Sequence, residues 1–375
     1  MNRRGIALVL VLVALLIASV LAAGVLMTTA TTTRASGDAQ HALRLNESAE
    51  RGVISAAASW PSESTLTMPL GATFGPHVVR YADSTVSTTW ITRLSRGSFW
   101  ITAHARGVVP GAPSQLQRRV GSLYVLNVPE PNLTAAVSVA DSLLVAGSAR
   151  VEGGDASPPL WGALCNTGSG VAAVAARDTS RVCDGSCGAP AGTHIVGSPH
   201  KLLDTTLSTS LYQLGPVTWT SLAAHATRGF PGPSAVTPGP RLTGTQCDTS
   251  FAGNWGDPTR ASACANHFVI LHAQGPLVMD GGIGQGVILA ESDVELRNGA
   301  QFYGLILARD DFVATAGSNR VWGAVIAADR TSLPGDHSVI TGSTVVTFSS
   351  CAVEMSLAGT AHLRRESQRG WVALH

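Results

Sequence analysis

The sequence predicts an α+β chain that is mainly β: a long N-terminal membrane-spanning helix, an antiparallel sheet, and a β-helix of about 18 residues per coil with an irregular insertion. Three observations carry this. An uncharged run covers Ile6 to Met27, four alternating stretches follow Pro61, and apolar triplets recur on a fixed beat beyond residue 268. The 375 residues are 45% hydrophobic and only 13% charged, about half the usual charged share, which excludes a disordered chain. Lys and Arg number 25 against 24 acids, so no basic field gathers phosphates and nucleic-acid binding is disfavoured. Forty glycines with 5% aromatics point to tight corners around small aliphatic layers.

The helix comes first. Ile6 to Met27 spans about 33 Å at ~1.5 Å per residue, enough to cross a hydrocarbon core of ~30 Å. Arg3 and Arg4 precede it and are expected to hold the N-terminus in the cytoplasm, sending the rest outward. A cleavable secretory signal is the rival, because Leu21-Ala22-Ala23 offers small residues to a peptidase. Beyond it, Ala35, Ala39, Ala42, Leu45, Ala49, Val53, Ala56 and Trp60 recur at three- and four-residue steps, one stripe of a helix. Trp60-Pro61 ends the pattern. Ile6 to about Ser59 therefore reads as one helix, with weak points at Gly37, Gly52 and the run Thr28 to Thr33.

The segment Arg3-Arg4-Gly5-Ile6-Ala7-Leu8-Val9-Leu10-Val11, with Ser48-Ala49-Glu50-Arg51-Gly52-Val53, resembles the PilX-type N-terminal region of type IV pilus assembly proteins over about 55 residues. That resemblance implies a minor pilin: a prepilin peptidase cuts between Gly5 and Ile6, and the freed apolar helix packs in a filament core. It implies as partners other pilin or pseudopilin subunits through the N-terminal helix, inner-membrane assembly machinery and membrane lipid. The location implied is the inner membrane, single-pass, with the C-terminal domain periplasmic or extracellular and later in a filament. One departure stands out. The fifth residue after the cut is Leu10, where major pilins carry glutamate. An apolar residue there also occurs in the tip pseudopilin of type II secretion systems, so it fits a tip or initiating subunit better than a repeating one.

Strands are predicted at His77 to Ala82, Val86 to Leu94, Ser98 to Arg106 and Leu116 to Val128, as an antiparallel sheet packed on the helix. The β-helix rests on Val269-Ile270-Leu271, Val287-Ile288-Leu289, Leu305-Ile306-Leu307 and Ala324-Val325-Ile326, spaced 18, 18 and 19. Leu277, Val294 and Phe312 start second segments, and the series Gly282, Gly299, Gly317 and Gly286, Gly304, Gly323 keep the same beat. A sandwich of hairpins is the alternative. Ser138 to Val151 reads as an earlier coil, and Leu160-Trp161-Gly162-Ala163-Leu164 echoes Val321-Trp322-Gly323-Ala324-Val325. The beat is lost between Cys165 and Asn266, where Pro231, Pro233, Pro238 and Pro240 mark an insertion. The expected divisions are 1–60, 61–130, 131–360 with its insertion at 165–266, and a tail at 361–375 whose Gly370-Trp371-Val372-Ala373-Leu374 docks a last strand or caps the structure.

Six cysteines lie beyond the membrane run, and an even count on the exported side suits disulfides. The preferred pairs are Cys183–Cys187, Cys247–Cys264 and Cys165–Cys351, out of 15 connectivities. A zinc site from Cys183 and Cys187 with His194 or His200 is the alternative. Catalytic constellations are sparse. Arg309-Asp310-Asp311 and Asp336-His337 suggest a polysaccharide lyase or hydrolase, but adjacent strand side chains diverge, so a solvated corner is expected. Gly281 to Gly286 opens no helix and lacks a following lysine, unlike a phosphate loop. Cys165 has no nearby histidine to activate it. Trp219, Phe230, Phe251 and Trp255 read equally as adhesive contacts or local core. The expectation is a structural subunit, not an enzyme, with no cofactor and no metal. Its rivals are a secretion pseudopilin and an anchored carbohydrate-active enzyme.

Overall fold

The computed structural model describes residues 3–60, 68–95, 97–107, 117–162, 164–165, 167–187, 193–207, 213–329, 337–366 and 372–374. The chain forms two compact units. One comprises Met1–Trp60, Pro69–Val125 and Leu363–His375, the other Pro61–Met68 and Leu126–His362.

In the first unit, helix α1 (Arg3–Ala58) runs without interruption through the expected weak points. The threonines stay helical because their hydroxyls donate to carbonyls three or four residues back, as Thr29 does to Val25 at 2.7 Å and Thr33 to Thr29 at 2.8 Å. Gly52 is a close approach instead of a hinge: a Cβ there would overlap the Ser87 hydroxyl. Leu45, Ser48, Ala49, Gly52, Val53 and Ala56 form the buried face, at the three- and one-residue steps of a helical stripe. The stripe starts later than expected, since Ala35 and Ala39 are exposed.

That face packs mainly on β2 (Thr85–Arg93) and β3 (Ser98–Gly107) of a sheet in which β1 (Thr73–Arg80), β2, β3 and β4 (Gln117–Asn127) are antiparallel in that order. β1 begins four residues before its predicted start and ends two before its predicted end; the boundaries of β2, β3 and β4 agree within one residue. Phe99, Ile101, Ala103 and Ala105 are buried alternately along β3. The contact is made by small residues, and Thr85 Oγ1 donates to Ser48 Oγ at 2.9 Å.

The second unit starts with β5 (Ala135–Val139), β6 (Leu143–Val145), β7 (Arg150–Glu152), β8 (Ala172–Ala176), β9 (Val182–Asp184), β10 (Ile195–Val196) and β11 (Lys201–Leu203). A hairpin of β12 (Gln213–Leu214) and β13 (Val217–Thr218), then α2 (Trp219–Ala224), lead to β14 (Arg228–Phe230) and β15 (Ser234–Val236). A second hairpin, β16 (Leu242–Thr243) with β17 (Gln246–Cys247), precedes the regular part. This consists of β18 (Val269–Ala273), β19 (Leu277–Asp280), β20 (Ile283–Ala290), β21 (Val294–Arg297), β22 (Gln301–Ala308), β23 (Phe312–Ala314), β24 (Arg320–Ala327), β25 (Ser338–Ile340) and β26 (Val345–Phe348), followed by α3 (Ser350–Ser356).

The beat in the sequence is the chain length needed to return one strand further along a parallel sheet. Strands β14, β18, β20, β22, β24 and β26 are successive neighbours in one sheet, and β15, β19, β21, β23 and β25 in another. Gly286, Gly304 and Gly323 are direct partners, as are Leu277, Val294 and Phe312. The three glycines have φ of +131°, +141° and +142°, and a Cβ on Gly304 would overlap the Gly286 carbonyl oxygen. No side chain fits that bend.

Strand order departs from chain order. β5 pairs with β24, β6 with β25 and β7 with β26, while β14 and β15 extend the opposite end at β18 and β19. The chain thus enters inside the stack, runs to one end, crosses to the other and returns. Residues 165–266 are accordingly not one irregular insertion, because they supply β8 to β11, β14 and β15. Entry and exit meet, and Cys165–Cys351 joins them across 186 residues. Ser350 donates its N–H and O–H to the Asp155 carboxylate at 2.9 and 2.7 Å, and Thr347 donates to Glu152 at 3.3 Å. The other disulfides are Cys183–Cys187 and Cys247–Cys264, so all three are the pairs preferred on the sequence and neither Cys183 nor Cys187 is a thiolate for zinc.

One expectation needs correction and another is resolved. Among the described residues of 160–164 there is no strand: Leu160 has φ of +69° and is exposed, and Trp161 is buried, donating Nε1–H to the Pro258 carbonyl at 2.8 Å. Of the two tasks expected of the tail it takes the first, docking a last strand, and does so on the antiparallel sheet instead of capping the parallel stack. β27 (His362–Arg365) and β28 (Val372–Leu374) join β4, with Val372 opposite Gly121, because the free edge of β4 offers backbone partners to an extended chain. Gly370 and Trp371 lie outside the described residues.

Gly304→Ala is expected to destabilise the protein by more than ~3 kcal/mol, whereas Gly299→Ala, with open space at its Cβ, costs only the ~1–2 kcal/mol of a left-handed residue. Thermal unfolding distinguishes them; equal losses would show that the close approach is not what demands glycine. Cys351→Ser is expected to cost ~2–5 kcal/mol by freeing the 186-residue loop, read from denaturant unfolding with and without reductant.

Candidate functional site

The feature that calls for a function is the part of α1 that its sheet leaves bare. Leu10 is 66% exposed and Met27 74%, and the large apolar residues between them are exposed throughout. This portion is apolar and long enough to cross a membrane. Its polar groups turn inward: Ser19 Oγ donates to Leu16 O at 2.8 Å, and Thr28, Thr29, Thr31, Thr32 and Thr33 bond to their own helix. The outer surface therefore offers hydrocarbon with its hydrogen bonds already made, which suits lipid or another apolar helix and not water. Gly5 and Ile6 fall inside α1. Leu10 adds no charge to this surface.

The candidate catalytic groups of the sequence behave differently from expectation. Asp310 and Asp311 are buried, not solvated, and with Asp293 they bring carboxylate oxygens within 4.8 Å of one another. The pair follows β22 at a corner, so the alternation of strand side chains does not separate them. The Asp311 N–H donates to Asp293 Oδ1 at 3.1 Å, and Ser338 Oγ donates to Asp311 Oδ1 at 3.1 Å. Oxygen donors of this kind are what a hard cation takes. Arg309 pairs with Glu291, which also meets His272 Nε2 at 3.1 Å, and its guanidinium lies 4.5 Å from the Trp219 ring, holding α2 in place. Asp336 lies outside the described residues.

Of the four aromatic candidates, Trp219 and Trp255 are buried and Phe230 is half-buried, so these are core; Phe251 is exposed. Sequence reasoning missed His267, a lone histidine without a motif. It is 6% exposed, and burial, aided by the nearby Arg228 guanidinium, holds its imidazole pKa below the usual range, against a weaker opposing pull from the Asn254 backbone carbonyl.

No family model matches the chain, and no curated protein matches it. Among solved structures it is similar to the competence-associated pilin ComZ from Thermus thermophilus, at 10% identity over 89% of this chain and 97% of that chain, with a TM-score of 0.26. At that score the likeness establishes no common fold.

His267 generates a pH prediction. Its folded pKa lies below the unfolded value of about 6.5, so the unfolded chain binds the proton more readily. Its contribution to stability is complete above pH ~6.5 and is lost as the pH falls from there through the lowered folded pKa. Denaturant unfolding from pH 8 to pH 4 is expected to show a slope between these limits that His267→Gln flattens. An unchanged slope would remove His267 as the source.

Proposed function

We propose that this chain is a minor pilin-like structural subunit of a type IV pilus or related filament, anchored in the inner membrane before assembly and joined to sister subunits by the same helix afterwards. The supporting observation is a single unbroken α1 whose first half is bare hydrocarbon and whose second half packs on an antiparallel sheet. Lipid covers the bare half first and neighbouring helices cover it later, by close packing that an inward charge would oppose. Arg3 and Arg4 favour a cytoplasmic N-terminus and an outward C-terminal part. The parallel stack of the second unit is then a β-helical head, whose size favours a low-copy position at the tip or in initiation, with adhesion as its task.

A type II secretion pseudopilin is the second reading, favoured by Leu10 where a repeating subunit carries glutamate. An anchored carbohydrate-active enzyme is disfavoured by burial: Asp310 and Asp311 are 8% and 2% exposed, so little of either residue is open to a polymer. The working mechanism uses assembly by helix packing, with neither cofactor nor bond-making chemistry.

N-terminal sequencing of protein recovered from membranes tests the proposal. A mature start at Ile6 is expected; a start after Ala23, with the protein soluble, overturns it. Leu16→Arg places a charge mid-span at ~2.5–3.5 kcal/mol and is expected to deplete the membrane and filament fractions. An undiminished filament fraction would count against helix packing as the assembly force.

A further inference from the structure

Hairpin β16–β17 and the turn after it stand outside both parallel sheets. Every residue from Arg241 to Gln246 is exposed, yet the segment is braced from beneath. Cys247–Cys264 ties its base. Asn254, fully buried, donates Nδ2–H to the Arg241 carbonyl at 3.1 Å and to the Asp248 carbonyl at 2.7 Å, and its Oδ1 accepts from Gly256 N–H at 3.1 Å. The Asp248 N–H closes the loop onto the Arg241 carbonyl at 2.8 Å.

On this brace Phe251 is 42% exposed, with the Arg241 guanidinium 4.2 Å from its ring centroid. Arg241 Nε lies 3.6 Å from Asp248 Oδ2, while Asp248 Oδ1 accepts from the Ser250 N–H at 3.1 Å. Exposed Leu242 stands at the start of the hairpin, with the hydroxyl and amide groups of Thr243 and Gln246 beyond it. An aromatic ring, a stacked guanidinium and a carboxylate are thus held rigidly in the open.

We propose that this platform binds a neutral glycan. The proposal deepens the adhesive reading above and rests on it for the outward placement of this unit. Charge argues for the ligand class: Arg241 is matched by Asp248, and no other charged residue occurs from Leu242 to Gly256, so a phosphate, sulfate or uronate would have to compete with Asp248. Area argues against a protein partner, since two exposed apolar side chains fall far short of the roughly 1,000 Å² of a lasting interface. Lipid insertion asks for a larger apolar face, with basic residues beside it for anionic headgroups. A sugar ring matches what is present. Its C–H face covers the Phe251 ring, and its hydroxyls accept from Arg241 and donate to Asp248. The disulfide and Asn254 remove most of the loop ordering that binding would otherwise require.

The test uses the full chain in detergent micelles, titrated calorimetrically with maltotetraose, cellotetraose and N-acetylchitotetraose, and with tetragalacturonate and a heparin tetrasaccharide as anionic probes. At least one neutral probe is expected to bind, and Phe251→Ala and Arg241→Gln each to weaken it about tenfold or more while the thermal midpoint stays unchanged. Failure of all three neutral probes to bind overturns the proposal. So does binding that survives Phe251→Ala, or a preference for either anionic probe. N-terminal processing and membrane fractionation of the unsubstituted chain are measured alongside: normal processing with no glycan binding sinks the platform alone, whereas a chain not cut between Gly5 and Ile6 sinks the filament reading and leaves the glycan result to stand.

Discussion

Water cannot satisfactorily cover the surface of α1 between Leu10 and Met27, and the demand for another cover governs how the chain is organised. A helix is the one local structure that keeps every backbone group bonded while presenting only hydrocarbon. The serine and threonines along it follow the same logic, bonding to their own turns so that no hydroxyl needs an external partner. Further along the same helix the requirement changes. From Leu45 on, small residues let the sheet come close, and Gly52 marks the point where a methyl group would already be too much. Two solvents are thus served by one rod through residue size and polarity alone.

The second unit solves a different problem, how to keep a stack of short parallel strands in register. Each strand is a few residues long and would slip without its neighbours. Glycines at 286, 304 and 323 set a bend at the same place in three successive strands, and the tight backbone contact there makes the register intolerant of error. Entry and exit of the chain fall inside the stack, so its continuity there depends on contacts between residues nearly 200 apart in sequence. Cys165–Cys351 and the Asp155–Ser350 pair make that junction. The ends are guarded differently. Cys183–Cys187 folds the chain back beside β9, and Pro231 and Pro233 lie between β14 and β15 at the other end, denying amide donors to an incoming strand.

Much of this was readable along the chain, and the reason is periodicity. An uncharged run of helical length, a period of two in β2 to β4 and a period near 18 in β18 to β24 are all local patterns, and each names its element without knowledge of neighbours. The Gly286, Gly304 and Gly323 series was legible for the same reason. The helical stripe was overextended to Ala35 because a repeat of small residues says where a face lies, not how much of it a partner covers.

What the sequence determined by itself is therefore the long helix with its apolar half, the four strands after it and the spacing of the regular parallel strands, since all of these follow from side-chain spacing within one segment. Only the tertiary structure decided that residues 135–203 stack on β24, β25 and β26, that the tail returns to β4, that Asp293, Asp310 and Asp311 converge at a corner, and that Phe251 stays exposed while Trp255 is buried. These outcomes depend on which distant backbone edge or surface each segment finds. That choice is made by the burial and hydrogen bonding of the whole fold, and no short window of sequence contains it.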